Sequence, residues 1–242
     1  MELTIEVYRR LIELLKNKGY TFCLYDEADH HEKTVILRHD VDFTLSKAVE
    51  MAEVEHELGV KSTFFILVTT DFYNIFSKRS YERLMKIISL GHEIGLHFDE
   101  KRYGIQTVDE MKKYVEMEAD LLGKYLNREV KVVSMHRPSK LCLENDIQFD
   151  NLINSYSTKY FKNMKYISDS RLNWREDPIE IIESGKYKKL HILTHPFSYS
   201  INKKSMETKL RDFIKKAIDD RYNQIDENFT ALDQVIKRDE II

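Results

Sequence analysis

Glycine, proline, cysteine and tryptophan are all scarce in this chain of 242 residues, which holds 7 Gly, 3 Pro, 2 Cys and 1 Trp. Average chains carry about 7% Gly and 5% Pro, so the scarcity argues against a Gly/Pro-rich linker, a collagenous segment or a many-turned all-β sandwich. Long elements with few sharp turns are expected, and each Gly or Pro that does occur should mark a backbone constraint. Cys23 and Cys142 lie too far apart for a metal knuckle or a Cys-x-x-Cys pair, and they read as small buried hydrophobes rather than a disulfide. Long apolar runs are also missing. The longest, Phe64 to Val68, falls far short of the roughly 18 to 20 residues of a membrane span, and the charged, amphipathic amino terminus has no signal-peptide core. A cytoplasmic location is expected. Finally, no charge sign dominates: 38 Lys+Arg against 41 Asp+Glu gives a formal charge of −3, which argues against a nucleic-acid partner.

What is present is periodicity. Leu3, Val7, Leu11, Leu14 and Leu15 have helical spacing, with Gly19 where such a helix would stop. Short apolar or β-branched runs at Thr34–Leu37, Ser62–Val68, His92–Leu96, Val130–Val133 and Leu190–Leu193 read as strands, and Thr21–Leu24, Asn154–Tyr156 and Lys165–Ser168 are further candidates. Helical patterns lie between them, from Leu45 to Ala52, from Tyr81 to Leu90 and from Val108 to Leu126. Thr107 and Glu110 form a capping-box pair, while Asp177, Pro178 and Glu180 suit N-cap, N1 and N3 of a shorter helix. Met206, Leu210, Phe213, Ile214, Ala217 and Ile218 give an amphipathic helical segment from about residue 203, closing what reads as a single 1–242 domain. The class is α/β, a parallel sheet of βα units, open or closed into a barrel, with functional groups at the carboxyl ends of the strands.

The residues at those strand ends form a chemically sensible set. If the first long strand stays extended through Arg38-His39-Asp40-Val41-Asp42, Asp40 and Asp42 project to one side, and two carboxylates sharing a site call for a cation or a basic partner. His92 and His97 fall on opposite faces of their strand, so only His97 stands at the useful end. Gly95, inside that strand, suggests close backbone approach or a bend. His136 and Arg137 follow the next strand and His195 the last, with Pro138 and Pro196 directly behind them. Three histidines, an Asp-x-Asp and an arginine make a metal-hydrolase inventory.

In the order of these motifs the chain resembles the polysaccharide deacetylase family with the NodB homology domain, the carbohydrate esterase family 4 type. The segments that carry the resemblance are Asp40-Val41-Asp42, Gly91-His92-Glu93-Ile94-Gly95-Leu96-His97, Arg137-Pro138, Asp169 to Trp174, and Leu190 to His195. Arg-His-Asp-Val-Asp together with Gly-His-Glu-Ile-Gly-Leu-His is similar to a divergent branch found with bacterial surface-polysaccharide synthesis. The resemblance implies a distorted (β/α)7-type barrel with Asp40 as general base, Asp42 and His97 as metal ligands, Arg137 orienting the base and His195 as general acid. Asp169 would set the tautomer and charge of His195, and Trp174 or Tyr103 would stack on a sugar ring. The family's second histidine ligand, expected four residues after the first, is replaced by Lys101. The third ligand is then His136, the preferred candidate, or Asp99 or Glu100, or no stable metal is held. The implied cofactor is a divalent ion, zinc foremost, with Co, Ni or Fe as alternatives. The implied reaction removes an N-acetyl or similar short acyl group from an amino sugar or glycan precursor. The rival readings are a carbohydrate-binding pseudo-enzyme and an amidohydrolase for small non-sugar amides.

Overall fold

Every paired strand runs parallel to its neighbours in the computed structural model, which describes residues Met1–Ile241. The strands are β1 (Thr21–Phe22), β2 (Thr34–Val41), β3 (Thr63–Leu67), β4 (Glu93–Phe98), β5 (Val132–Met135), β6 (Ile153–Asn154), β7 (Lys165–Ser168) and β8 (Lys189–Thr194). They pair in the order β6-β5-β4-β3-β2-β8-β7, with β1 added to the lower end of β2. The sheet curls into an incomplete barrel whose seam lies between β6 and β7, as a distorted (β/α) barrel requires.

The helices are α1 (Ile5–Asn17), α2 (Leu45–Glu57), α3 (Lys78–Ser89), α4 (Glu100–Tyr103), α5 (Val108–Leu126), α6 (Lys140–Glu144), α7 (Pro178–Glu183) and α8 (Met206–Asp226). The start of α5 carries the expected capping box, in which the Thr107 hydroxyl accepts from the Glu110 N–H and the Glu110 carboxylate accepts from the Thr107 N–H. Asp177 caps α7, with Pro178 at its first position. Behind α3 the chain turns at Gly91, whose φ of +92° suits a residue without a Cβ. The chain divides into two units, Met1–Ile201, which holds the sheet and every candidate site residue, and Asn202–Ile242, which is built around α8.

Side chains alternate across the strands and sort the core into two shells. Val35, Leu37 and Val41 of β2, Phe64 and Ile66 of β3, and Leu96 and Phe98 of β4 face outward and pack with the apolar stripes of the helices. Ile36, Phe65 and Val132 face inward, where they meet Cys23, Tyr25, Tyr160 and Met164. Gly95 also faces inward. A Cβ built there would stand 2.7 Å from the Phe65 ring, so the glycine marks a close approach, as its place inside a strand suggested. Among the described residues no helix is long and apolar enough to cross a membrane.

Candidate metal centre and flanking residues

β2 runs four residues further than its apolar run, through Arg38, His39, Asp40 and Val41, because all four pair with β3 and the first two also with β8. Arg38, Asp40 and Asp42 therefore share the inward parity. Arg38 is wholly buried, and its guanidinium forks onto Asp40, with Nε to Oδ1 at 2.8 Å and a terminal nitrogen to Oδ2 at 2.8 Å. Its remaining donors reach the hydroxyls of Ser155 at 3.2 Å, Tyr156 at 3.4 Å, and Ser134. Such a fork fixes a carboxylate in position and orientation. Burial alone would push the Asp40 carboxyl up, but the Arg38 charge, joined by His97, outweighs it and holds Asp40 below the ordinary aspartate range.

The register of β4 against β5 sets His97 opposite Ser134, which brings His136, two residues further along, to the same side. Asp42 Oδ1 lies 3.1 Å from His97 Nε2 and 3.1 Å from His136 Nδ1, and those two nitrogens are 3.2 Å apart. A tetrahedral ion with ligand distances of about 2.0 to 2.1 Å separates its ligand atoms by about 3.3 Å, so the triangle is close to one face of such a tetrahedron. The donor set, one carboxylate and two imidazoles, is a known zinc type. Asp42 Oδ1 is also buried without an aligned hydrogen bond, an orphaned acceptor of the kind a bound cation would satisfy. Burial raises the Asp42 pKa, yet the His136 and His97 imidazoles and the charge on His195 hold it well below the usual range. Among the described residues this is the one trio of side chains with metal-binding spacing. Asp99 and Glu100, the other candidates for the third position, are committed elsewhere. Asp99 caps α4 and pairs with Arg137, and Glu100 accepts from the Ser139 N–H at 3.1 Å.

On the other flank stands His195. Its Nδ1 is 2.6 Å from Asp169 Oδ1, its backbone N–H donates to Asp169 Oδ2 at 3.1 Å, and its Nε2 points toward Asp42 Oδ2 at 3.9 Å. Burial disfavours the imidazolium, but Asp169, itself fully buried, together with Asp42 and Asp40 raises the His195 pKa to about 9.

Three residues stand elsewhere than expected. Arg137 does not reach Asp40; it lies half-exposed and pairs with Asp99, because Arg38 already occupies both oxygens of Asp40 from below. Tyr103 is packed between Phe98 and Tyr114, at ring distances of 5.7 and 4.1 Å, and its hydroxyl donates to Glu118 at 2.7 Å, which leaves no face for a sugar. Trp174 is 7% exposed and belongs to the outer apolar core. Arg38 itself escaped the sequence reading, although its position two residues before Asp40 on a period-two face was the signal. His92, as expected, stays away from the centre and bonds Ser62 and the Ala52 carbonyl.

No protein-family model and no curated protein sequence matches the chain. Among solved structures it is similar to a Streptococcus pyogenes deacetylase bound to acetate, with 12% identity over 79% of this chain and 81% of that one, at a TM-score of 0.46. A chitin deacetylase from the fungal pathogen Colletotrichum lindemuthianum matches with 14% identity over 75% and 81%, at 0.44. A pseudoenzyme of the CE4 family from Bacillus anthracis matches with 15% identity over 77% and 62%, at 0.43.

Proposed function

We propose that this chain is a metal-dependent hydrolase that removes an N-acetyl or similar short acyl group from an amino sugar in polysaccharide or glycan-precursor metabolism. One observation carries the reading: the Asp42–His97–His136 triangle lies between a carboxylate held by arginine and a histidine held by carboxylate. The sugar comes from the motif resemblance, and the chemistry from the geometry.

Asp42, His97 and His136 would hold a divalent ion, zinc foremost, which when bound lowers the pKa of water to about 7 and polarises an acyl oxygen. Asp40 is the base. Its Oδ2, 3.5 Å from His97 Nε2, faces the triangle, and the Arg38 fork keeps the carboxylate ionised and prevents it from turning away as it accepts the proton of the attacking water. His195 is the acid. Held by Asp169 at Nδ1, it presents Nε2–H toward the triangle and protonates the amide nitrogen as the C–N bond breaks, so that it departs as a neutral amine rather than as an anion. Base and acid are thus preset in opposite protonation states by opposite partners, an arginine and an aspartate. A purely binding role would have no use for that pairing.

The test is metal analysis of the purified protein together with acetate release from N-acetylglucosamine oligomers. Close to one divalent ion per chain is expected, with release abolished by chelation. Asp40→Asn should retain the metal while losing on the order of 10²- to 10⁴-fold in rate. A metal-free protein, or an Asp40→Asn variant as active as the parent, would overturn the reading. Release from simple amides but not from sugars would transfer it to the small-amide class.

A further inference from the structure

Nine of the sixteen large apolar side chains that are exposed among the described residues fall within 202–241, about a sixth of the chain. Scattered exposure needs no explanation; such concentration does. Five of the nine, Met206, Leu210, Ile214, Ile218 and Ile225, stand on α8, each 37% to 60% exposed. At 3.6 residues per turn they fall on one stripe about 120° wide, the apolar face that the sequence spacing marks and the proposed chemistry leaves unused. Among the described residues of this unit only Tyr222 and Leu232 are buried apolar side chains, and none of the stripe joins them.

Two charged residues complete the stripe, Glu207 and Arg221. Their placement is symmetric. Leu210 and Ile218 lie four residues before and after Ile214, and Glu207 and Arg221 lie seven before and after it. Two such helices packed antiparallel about a two-fold axis at Ile214 bring the two Ile214 side chains together. They also set Leu210 of each against Ile218 of the other, and Glu207 of each against Arg221 of the other. A parallel pair would instead set Arg221 against Arg221 and Glu207 against Glu207. Within one helix Glu207 has an exposed partner, Arg211 at 2.8 Å, but such pairs are loosely held and leave the carboxylate able to accept a second donor. A bilayer surface fits the helix less well. Helices that lie on anionic lipid carry an excess of Lys and Arg on their polar face, whereas α8 has five cations and five anions.

We propose that α8 is a self-association surface, through which two copies of this chain pair antiparallel about a two-fold axis at Ile214. The pairing is independent of the hydrolase reading, since it needs neither metal nor turnover. Its test is sedimentation velocity of the full chain over a concentration series. The stripe is about 30 Å long, short for a helix pair, so the mass should rise with concentration from one chain of 28.9 kDa toward two. Ile214→Glu places two carboxylates on the axis and should weaken association at least about 100-fold. Arg221→Glu should weaken it about tenfold, and adding Glu207→Arg should restore it to within about threefold. Val235→Glu, at an exposed apolar position outside α8, is the control and should leave association unchanged. A single-chain mass at every concentration would overturn the proposal, as would a dimer indifferent to Ile214→Glu or equally weakened by Val235→Glu. An Arg221→Glu variant that pairs like the parent, or a loss that Glu207→Arg does not restore, would overturn the antiparallel arrangement. Capture by phosphatidylserine vesicles of a chain that stays single in solution would assign the stripe to a membrane surface instead.

Discussion

Arg38 and Arg137 divide between them what one arginine was expected to do. Arg38 is buried and bidentate on Asp40, whereas Arg137 meets Asp99 at the surface, and exposed pairs contribute little. Arg38→Lys keeps the charge but loses the fork, so acetate release should fall by at least about tenfold and stability by about 1 to 3 kcal/mol. Arg137→Lys should cost less than about 1 kcal/mol and leave the rate nearly intact. Rates and urea midpoints for the two variants check this, and a larger loss at Arg137 would return to it the role of orienting Asp40. Glu118 offers a second measurement at this scale. Burial, opposed by the Tyr103 hydroxyl and Arg102 and reinforced by Asp99, raises its pKa to about 7, and its Oε2 has no hydrogen-bond partner. The unfolded chain releases that proton near pH 4.3 and the folded chain near 7, so between those values the native state binds more protons and stability falls as pH rises. The cost is absent below the unfolded pKa and fully present above the folded one, up to about 3 kcal/mol. His191, its pKa depressed to about 3 by burial and by Arg38, acts in the opposite direction, losing stability as pH falls from 6.5 toward 3. The difference between Glu118→Gln and the parent isolates Glu118: the variant should gain about 2 to 3 kcal/mol more at pH 8 than at pH 5. A gain independent of pH would contradict the assignment.

Among the elements, β4 shows how packing reaches the chemistry. Gly95 admits the Phe65 ring, and that ring lies 5.3 Å beneath the Arg38 guanidinium that holds Asp40. Gly95→Ala should therefore overpack the barrel interior by about 1 to 3 kcal/mol and slow the reaction through Arg38. Adding Phe65→Leu should recover part of both losses, and a double-mutant cycle on melting and rate measures the coupling. Strict additivity would mean that the two residues do not communicate. The element scale also shows what the sequence could and could not disclose. The shared face of Asp40 and Asp42 was legible because alternation is local, and so were the strand, the capping box of α5 and the glycine that lets a ring approach. Arg38 escaped because the carboxylate that a buried guanidinium takes is settled by packing in three dimensions, although the same alternation puts it on the face of Asp40. The order of the strands points to His136 as the third member of the trio, whereas its exact place beside His97 depends on the register between β4 and β5, and a register is set by two segments together. The expected Arg137 contact failed for the same reason, since its reach depends on which carboxylate lies nearest in three dimensions.

For the molecule as a whole, a metal held by Asp42, His97 and His136, which stand in or just beyond β2, β4 and β5, would tie together three strands that the unfolded chain keeps apart, so binding should stabilise the fold. At a free-ion concentration of 100 times Kd the gain is about 2.7 kcal/mol, which for a chain of this size raises Tm by about 5 to 10 °C. Thermal melts with and without zinc check this, and His136→Ala should abolish most of the rise. A full rise in that variant would show that the third ligand lies elsewhere. The unclosed seam between β6 and β7 has its own consequence. A sheet that stops short of closing leaves two free edges, and free edges invite a second chain to pair and polymerise. Here β6 is two residues long and β7 four, so each edge offers too few amides in register to template another strand. The barrel can stay open at little risk of aggregation.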